Sequence, residues 1–269
     1  MSKHADAALI TGASGGIGRA LALVFAEHDY DVVLVARSEG KLRELAKEIE
    51  QEHEVQATVL PADLSVPGAP QELFDAIEQE GINVEVLVNN AGVAVNGPFH
   101  ETALEEQLRL VELNVTSLVA LTHMFVGPMV EQGSGRILNV ASIFSFFPTP
   151  QVSTYGASKA FVLSFTEALS QELKGTGVTA TALCPGYTET DMIHGALEKA
   201  GQQDIEGWIP SFVKMSPEDV ARQGYKACMK GKTIHMDRWS NELTAQWVKL
   251  QPRWLVREVG GLFSRLARQ

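Results

Sequence analysis

The amino-acid sequence predicts an α/β protein built on a doubly wound parallel β-sheet with helices on both faces. Short runs rich in Val, Ile and Leu alternate with longer amphipathic stretches along most of the chain. The short runs are apolar on both faces, which is typical of parallel strands covered by helices. Alternating strands and helices favour right-handed crossovers within one sheet, and such sheets bind ligands outside the carboxyl ends of their strands.

The predicted elements follow one another without a linker or an internal repeat. Strands are predicted at 7–11, 31–36, 55–60, 84–89, 135–142 and 177–185, and helices at 17–28, 38–52, 70–80, 102–131 and 153–174. The chain from Arg238 onward is also predicted to be helical. The sequence therefore predicts one domain over residues 1–237, with a helical C-terminal extension over 238–269.

Composition and charge exclude several classes of function. With 22 basic and 33 acidic residues the chain carries a net charge of −11, so we expect no broad basic face for nucleic acid. Cys184 and Cys228 lie far apart and the histidines lack ligand spacing, so neither a disulfide framework nor a metal site is predicted. The first strand begins almost at the N-terminus, leaving no room for a signal peptide, and no apolar run approaches the roughly 18 residues of a transmembrane helix. The sequence therefore predicts a cytoplasmic protein.

A glycine-rich turn, TGASGGIG, joins the first strand to an amphipathic helix. Gly12, Gly16 and Gly18 allow a tight turn, close approach of a pyrophosphate and close packing of helix on strand. The helix N-terminus behind them offers free N–H groups and a favourable dipole for phosphate. A tight strand–helix connection without a ligand is the alternative. The flanking strand and helix favour a dinucleotide, with Ser14 and Ile17 also at its site.

The end of the second strand indicates which dinucleotide binds. A site that prefers NAD(H) places Asp or Glu near this point to bind the ribose hydroxyls, whereas this chain has Ala36 followed by Arg37. A guanidinium suits a 2′-phosphate, so NADP(H) is favoured over NAD(H), and the alternative is that Arg37 is an exposed loop residue. Asp63, followed by Leu64 after the third strand, either accepts a hydrogen bond from the adenine amino group or caps a turn.

Tyr155 and Lys159 are predicted to carry the chemistry. Their spacing of four residues puts both side chains on one face of a helix. A phenol normally ionises near pH ~10, but an adjacent ammonium favours the phenolate and lowers its pKa. Such a tyrosine exchanges a proton with a carbonyl or alcohol oxygen, and Ser142 can donate a second hydrogen bond to that oxygen.

These residues stand in an ordered set of six motifs: TGASGGIG, NNAG, Asn114 in LNV, Ser142, YGASK and PGYTET. On these motifs the chain resembles the short-chain dehydrogenase/reductase family over about residues 6–190. The resemblance implies a single Rossmann domain whose NADP(H) delivers hydride to, or takes it from, a carbonyl carbon. Within the family, the chain is similar to the NADP(H)-preferring carbonyl and 3-oxoacyl reductases.

The resemblance also implies roles for individual residues. It gives a catalytic set of Asn114, Ser142, Tyr155 and Lys159, in which Lys159 also holds the nicotinamide ribose. Asn114, expected at a distortion in the helix at 102–131, would anchor a water that links Lys159 to solvent. Further cofactor contacts are implied at Asn90, Ala91 and Gly92 beside the adenine ribose, at Pro185 and Gly186, and at Thr188 and Thr190 near the nicotinamide carboxamide and the diphosphate.

The substrate is predicted to be lipophilic. Aromatic residues follow Ser142 directly, and others lie in a predicted lid at about 187–215. Together they suggest an apolar pocket, although packing within the lid or between subunits is the alternative. The residues are Phe144, Phe146, Phe147, Pro148, Trp208, Ile209, Phe212, Val213 and Met215.

The C-terminal extension has an apolar stripe, because Trp239, Leu243, Trp247 and Leu250 recur at helical spacing. The final stretch is basic. Packing of the extension on the domain or on a partner subunit is favoured over a peripheral membrane contact. The family resemblance implies a homodimer or homotetramer formed through the helices predicted at 102–131 and 153–174.

The sequence thus predicts an NADP(H)-dependent oxidoreductase that interconverts a carbonyl and an alcohol, on a ketone, a 3-oxoacyl compound or an aldehyde. The alternative is a nucleotide-binding regulatory or scaffold protein that keeps the Rossmann fold without turnover. Intact Ser142, Tyr155 and Lys159 argue against that alternative.

Overall fold

The computed structural model describes residues 6–188 and 215–258, and the strands within these ranges form one seven-stranded parallel sheet of order β3-β2-β1-β4-β5-β6-β7. The strands are β1 (Ala7–Thr11), β2 (Asp31–Ala36), β3 (Ala57–Pro61), β4 (Val84–Asn89), β5 (Gly135–Val140), β6 (Val178–Cys184) and β7 (Ile234–Met236). The α-helices are α1 (Gly16–Ala26), α2 (Glu39–Glu52), α3 (Ala69–Gln79), α4 (Leu104–Val111), α5 (Ser117–Gln132), α6 (Ser153–Glu172), α7 (Pro217–Met229) and α8 (Trp239–Leu250). The predicted doubly wound α/β sheet of the Rossmann type is confirmed.

The central strands are buried on both faces because consecutive side chains enter two different cores. Leu9 packs with Phe125 in the core that lies under α3 and α5. Its neighbour Ile10 packs with Phe25 in the core on the other face, under α1 and α7. The strand order reverses between β1 and β4, and this switch point opens a crevice at the carboxyl ends of the strands.

The predicted elements lie within two residues of their observed ends, but one α-helix and one strand among the described residues were not predicted. Helix α7 begins at Pro217, after Ser216, whose hydroxyl accepts a hydrogen bond from the backbone N–H of Asp219 at 3.1 Å. That start signal is present in the sequence. Strand β7 has only three half-buried residues, so it leaves no apolar run to detect.

The helix predicted at 102–131 consists of α4, a π-helical segment (Glu112–Thr116) and α5. By length and composition Leu104–Gln132 could cross a membrane, with mean hydropathy 1.4 over its most apolar 18 residues. Core helices of soluble proteins pass the same test. Leu118, Leu121 and Phe125 of this helix are buried in the domain, which is the pattern of such a core helix.

Helix α8 confirms helical structure after Arg238 and leaves the predicted apolar stripe outside the domain. Leu243, Trp247 and Leu250 are 54%, 49% and 83% exposed. The described part of the domain therefore leaves these three side chains about half exposed or more. The side chain of Trp239 lies outside the described residues.

Candidate active site

A cavity of about 310 Å³ opens at the switch point between β1 and β4 and runs along the carboxyl edge of the sheet. It extends from the end of β3 to the segment after β6. All but one of the cofactor residues predicted from the sequence line it: Gly12, Ser14, Gly16, Ile17, Gly18, Arg37, Asp63, Leu64, Asn90, Ala91, Gly92, Tyr155, Lys159, Pro185, Gly186 and Thr188. Thr190 lies outside the described residues.

The glycine-rich turn needs glycine at two positions for different reasons. Gly12 has a positive φ of 69°, and a side chain there would also crowd Asn90 and Ala91. At Gly18 a side chain would collide with the carbonyl oxygen of Gly12 and with the Asn90 amide. Helix α1 therefore begins directly against the turn, and its free N–H groups face the cavity.

Thr11 ties the turn to the loop after β4. Its hydroxyl donates to the carbonyl of Val88 at 3.1 Å and accepts from the backbone N–H groups of Asn90 and Ala91, each at 3.0 Å. The Asn90 amide donates back to the carbonyl of Thr11 at 2.8 Å. These bonds fix the NNAG loop against β1. Thr11 was not predicted as a site residue, because its role depends on a neighbouring strand that is distant in sequence.

Asn114 lies at the centre of the π-helical segment, so the predicted helix distortion is present. Its oxygen accepts from the backbone N–H of Val93 at 2.9 Å, and its amide donates to the carbonyl of Val93 at 3.0 Å and to the hydroxyl of Ser158 at 3.1 Å. Ser158 in turn donates to the carbonyl of Tyr155 at 2.7 Å. Asn114 therefore joins the loop after β4 to the helix that carries Tyr155, without lining the cavity itself.

Ser142 and Tyr155 meet at the catalytic end of the cavity. Ser142 caps a short 3₁₀ helix (Ile143–Phe146), accepting from the N–H of Phe144 at 3.2 Å, and its hydroxyl lies near enough to the Tyr155 phenol to influence the pKa of that group. The structure thus gives Ser142 a capping role, and its predicted hydrogen bond to a substrate oxygen stays a prediction. Burial raises the pKa of the Tyr155 phenol, and the nearby Ser142 hydroxyl opposes this without offsetting it. This direction is opposite to the lowering that the sequence predicted, because desolvation of the phenolate dominates.

Lys159 is almost fully buried below Tyr155. Its ammonium donates to the carbonyl of Val140 at 2.7 Å and lies 5.8 Å from the centre of the Tyr155 ring. Burial lowers the pKa of Lys159 to about 8, while the nearby Cys184 thiol acts in the opposite direction. The lysine therefore remains largely charged at neutral pH and faces the tyrosine from within the protein.

Cationic side chains lie at the opposite end of the cavity. Arg37 is exposed at the end of β2, and Lys41, in the first turns of α2, also lines the cavity. Asp63 accepts from the N–H and hydroxyl of Ser65 and pairs with Arg109 at 2.7 Å. Burial by itself raises the pKa of Asp63, but the Ser65 hydrogen bonds and the charges of Arg109 and Arg37 together lower it. Asp63 thus caps a turn and remains ionised at the cavity.

The aromatic residues after Ser142 have different environments. Phe144 is 37% exposed and meets the Tyr155 ring edge-on, with centroids 6.3 Å apart, and it also contacts Phe147. Phe146 instead packs against the core under α6. Met215, predicted to line the pocket, is buried in the core beside α1 and α7. Its backbone forms an isolated parallel β-bridge with Thr188. Trp208, Ile209, Phe212 and Val213 lie outside the described residues.

The lining fits a dinucleotide. The cavity has the volume of a cofactor site, a helix N-terminus lies at its middle for a diphosphate, and cations lie at one end and a proton donor at the other. Several lining residues were missed from the sequence because they carry no motif. They include Ser38, Lys41, Ala62, Val93, Leu113 and Ala141.

Comparison with known proteins agrees with this geometry. The model of the short chain dehydrogenase family matches residues 6–201. Sulfoacetaldehyde reductase 2 of Chromohalobacter salexigens is 39% identical over 220 residues, which span 80% of this chain and 85% of that protein. The very-long-chain 3-oxoacyl-CoA reductase of Anas platyrhynchos is 33% identical over 221 residues, 80% of this chain and 66% of that protein.

A solved structure extends the likeness to nearly the whole chain. The short-chain dehydrogenase from Sphingobium yanoikuyae, in complex with NADPH, superposes with a TM-score of 0.80 at 30% identity and covers 96% of this chain and 95% of its own. The seven-stranded parallel sheet flanked by helices agrees with this match. The protein belongs to the short-chain dehydrogenase family and is an NAD(P)-dependent oxidoreductase.

Proposed function

We propose that the protein is an NADP(H)-dependent reductase that interconverts a carbonyl and an alcohol on a lipophilic substrate. The observation that supports this most is the position of Tyr155. Its phenol lies near the Ser142 hydroxyl and over the buried ammonium of Lys159, and all three residues line the cavity. A scaffold protein without turnover would have no need of this costly buried arrangement.

The chain's own residues would act on the substrate oxygen. Bound NADPH supplies the hydride that reaches the carbonyl carbon. Ser142 donates a hydrogen bond to the carbonyl oxygen, and Tyr155 transfers its proton to the same oxygen as negative charge develops there. Lys159 holds positive charge beneath the phenol, which stabilises the phenolate left behind. Asn114 positions the segment between these residues, and we retain the proposal that it anchors a water on the proton path to solvent.

We propose that Arg37 and Lys41 select NADP(H) by contacting its 2′-phosphate. Both cations line the end of the cavity beside β2, where Ala36 stands in the position at which an acid would bind ribose hydroxyls. The NADPH bound to the Sphingobium relative supports the same cofactor.

Arg37→Ala is expected to weaken NADPH binding selectively. Loss of a charge-assisted hydrogen bond costs about 1.5–3 kcal/mol, or roughly 10- to 150-fold in the dissociation constant. NADH lacks the phosphate, so its dissociation constant should change little. Titration of both cofactors into both proteins measures the difference. Arg43→Ala is the matched control, because Arg43 is an exposed arginine on the neighbouring helix α2, pairs with Glu39 and does not line the cavity. Equal weakening of NADPH binding and NADH binding would show that Arg37 does not contact the 2′-phosphate.

The lipophilic substrate is supported by the aromatic edge beside the catalytic residues. Phe144 is half-exposed and touches both Tyr155 and Phe147, so an apolar group next to the reacting carbonyl would cover these rings. The relatives act on chemically different molecules, a small sulfonated aldehyde and a very-long-chain 3-oxoacyl thioester by their names. NADPH oxidation against a panel containing both types, a long-chain aldehyde and a bulky ketone tests the proposal. We expect kcat/KM to rise with apolar size, and a preference for sulfoacetaldehyde would contradict it.

We also propose that the protein forms a homodimer or homotetramer through α4, α5 and α6. Leu104, Leu108 and Val111 form an exposed apolar stripe along α4, and Phe161 of α6 is 42% exposed and stacked on Phe165. A contiguous apolar face of this kind is costly to leave in water.

The cytoplasmic location of the protein stays a prediction.

Leu108→Asp is expected to reduce the mass of the protein in solution to that of the monomer. A carboxylate at the centre of the stripe would be buried without a partner in the assembly, and it would be well solvated in the monomer. Light scattering after size exclusion gives the mass. Val66→Asp, at an exposed apolar residue that is on none of α4, α5 and α6, should leave the mass unchanged. A variant at Leu108 that keeps the wild-type mass would exclude this face.

For the C-terminal extension over 238–269, we propose that its inner face packs on the domain and that its outer stripe meets a partner subunit. Asn241 faces the domain, where its side chain reaches Gly186 and Asp237. Leu243, Trp247 and Leu250 lie roughly half a turn away from Asn241 on an ideal helix. The apolar stripe therefore faces outward. A peripheral membrane contact through this stripe is the alternative.

A further inference from the structure

Asp237 is a buried carboxylate that joins helix α8 to the cofactor cavity. It follows β7 directly and is only 7% exposed. One carboxylate oxygen accepts from the backbone N–H of Gly186 at 2.9 Å, and the other accepts from the side-chain amide of Asn241, on α8, at 2.7 Å. Each oxygen is thus held by a different part of the chain.

The segment that Asp237 holds is the part of the cavity wall that follows β6. Pro185, Gly186 and Thr188 all line the cavity. The Thr188 hydroxyl lies 3.4 Å from the carbonyl oxygen of Gly186, to which it donates. Because β6 lies beyond β5 in the sheet, this segment is at the end of the cavity where Ser142 and Tyr155 lie.

Packing at Gly186 leaves little freedom for this segment. A side-chain carbon built on Gly186 would lie 2.5 Å from the Asn241 amide and 3.5 Å from the Asp237 carboxylate. The backbone of Gly186 therefore lies flat against Asn241 and Asp237. Burial of a carboxylate is costly unless its oxygens are hydrogen-bonded, so Asp237 stabilises the one conformation that supplies both donors.

We propose that Asp237 is a positioning residue for the cofactor, held in place by Asn241. Together they fix the segment from Pro185 to Thr188 against the nicotinamide half of NADP(H). The proposal rests on the proposed cofactor, and it gives the C-terminal extension a role in cofactor binding that its sequence does not indicate. A pre-ordered wall lowers the entropy that binding would otherwise lose.

Asp237→Asn tests the proposal with the smallest change of shape. An asparagine has one oxygen, so it can accept from Gly186 or from Asn241, and its own N–H₂ group then faces the other donor. We expect the dissociation constant for NADPH to rise by about tenfold or more. The fragment adenosine 2′,5′-diphosphate reaches only the half of the cavity near Arg37, so its dissociation constant should change by less than about twofold. Glu242→Gln is the matched control, because it removes the charge of an exposed carboxylate next to Asn241 and should leave both constants unchanged.

Asn241→Ala provides a second variant that keeps the carboxylate and removes only its tie to α8. We expect a smaller rise for NADPH, of about two- to fivefold, again with no change for the fragment. Equal weakening of NADPH and the fragment in these variants would show a merely structural role and overturn the proposal, as would unchanged NADPH binding in both. If Asp237→Asn does not fold, Asn241→Ala decides alone. Failure of the wild-type protein to bind NADPH would instead refute the proposed function, and it is visible before any variant is made.

Discussion

Replacing Tyr155 with phenylalanine is expected to lower kcat for carbonyl reduction by at least about 10²-fold while NADPH binding survives. The substitution keeps the ring, which contacts Phe144, and removes only the proton that reaches the substrate oxygen. Because the lost interaction is made in the transition state, kcat and kcat/KM should fall together. Steady-state rates of NADPH oxidation and a separate NADPH titration measure the two effects.

The raised pKa of Tyr155 also predicts how the rates of reduction and oxidation depend on pH. Burial keeps the phenol protonated at neutral pH, which is the form that reduction requires. Alcohol oxidation requires the phenolate, so in the wild-type protein the oxidation rate should rise as pH increases above neutrality while the reduction rate does not. Tyr155→Phe should remove this difference between the two directions.

Tyr30→Phe is the matched control for the loss of a phenol. Burial raises the pKa of Tyr30 as well, but this residue packs edge-on against Phe25, outside the cavity lining. Its variant should retain wild-type rates. Near-normal turnover in Tyr155→Phe would remove the tyrosine from the mechanism and favour a protein that binds nucleotide without this chemistry.

Much of the fold was predictable because its signals are local. A run such as DVVLVA predicts a buried strand by composition alone, and β2 occupies those residues. The glycine-rich turn is equally local, since Gly18 must lack a side chain for α1 to begin against Gly12. By contrast, β7 has three half-buried residues, and only its pairing with β6 makes it a strand.

The electrostatics of the site could not be predicted in the same way. The spacing of Tyr155 and Lys159 gave their proximity, but the direction of the tyrosine pKa depends on how deeply the fold buries both groups. No local pattern distinguishes Asp237 from the other acidic residues of the sequence. Its role depends on β7, which places it beside the backbone N–H of Gly186. Contacts between elements that are distant in sequence leave no pattern in a single chain.

Glu85 is another residue whose role depends on tertiary contacts. It lies inside the apolar run VEVLVN of β4 and is 6% exposed. One of its carboxylate oxygens accepts from the hydroxyl of Ser134 at 2.6 Å and from the guanidinium of Arg136, on β5, at 3.0 Å. The other oxygen is buried and has no hydrogen-bond partner among the described residues. The pair therefore stabilises the fold only as long as both charges are present.

Glu85→Ala is expected to lower the free energy of unfolding by about 3–5 kcal/mol, because it leaves Arg136 with an uncompensated, largely buried charge. Chemical denaturation followed by circular dichroism measures the change. The exposed pair between Glu39 and Arg43 is the matched control, and Glu39→Ala should change the free energy by no more than about 0.5 kcal/mol.

The double variant Glu85→Leu with Arg136→Met separates the cost of an unpaired charge from the worth of the pair. Apolar side chains of similar size remove both charges together and also remove the oxygen that lacks a partner, so stability should return to within about 1 kcal/mol of the wild-type protein. The Ser134 hydroxyl loses its acceptor in this variant but lies only partly buried, and water can replace that bond. A double variant as unstable as Glu85→Ala would mean that the ion pair itself, and not the charge left behind, holds β4 against β5.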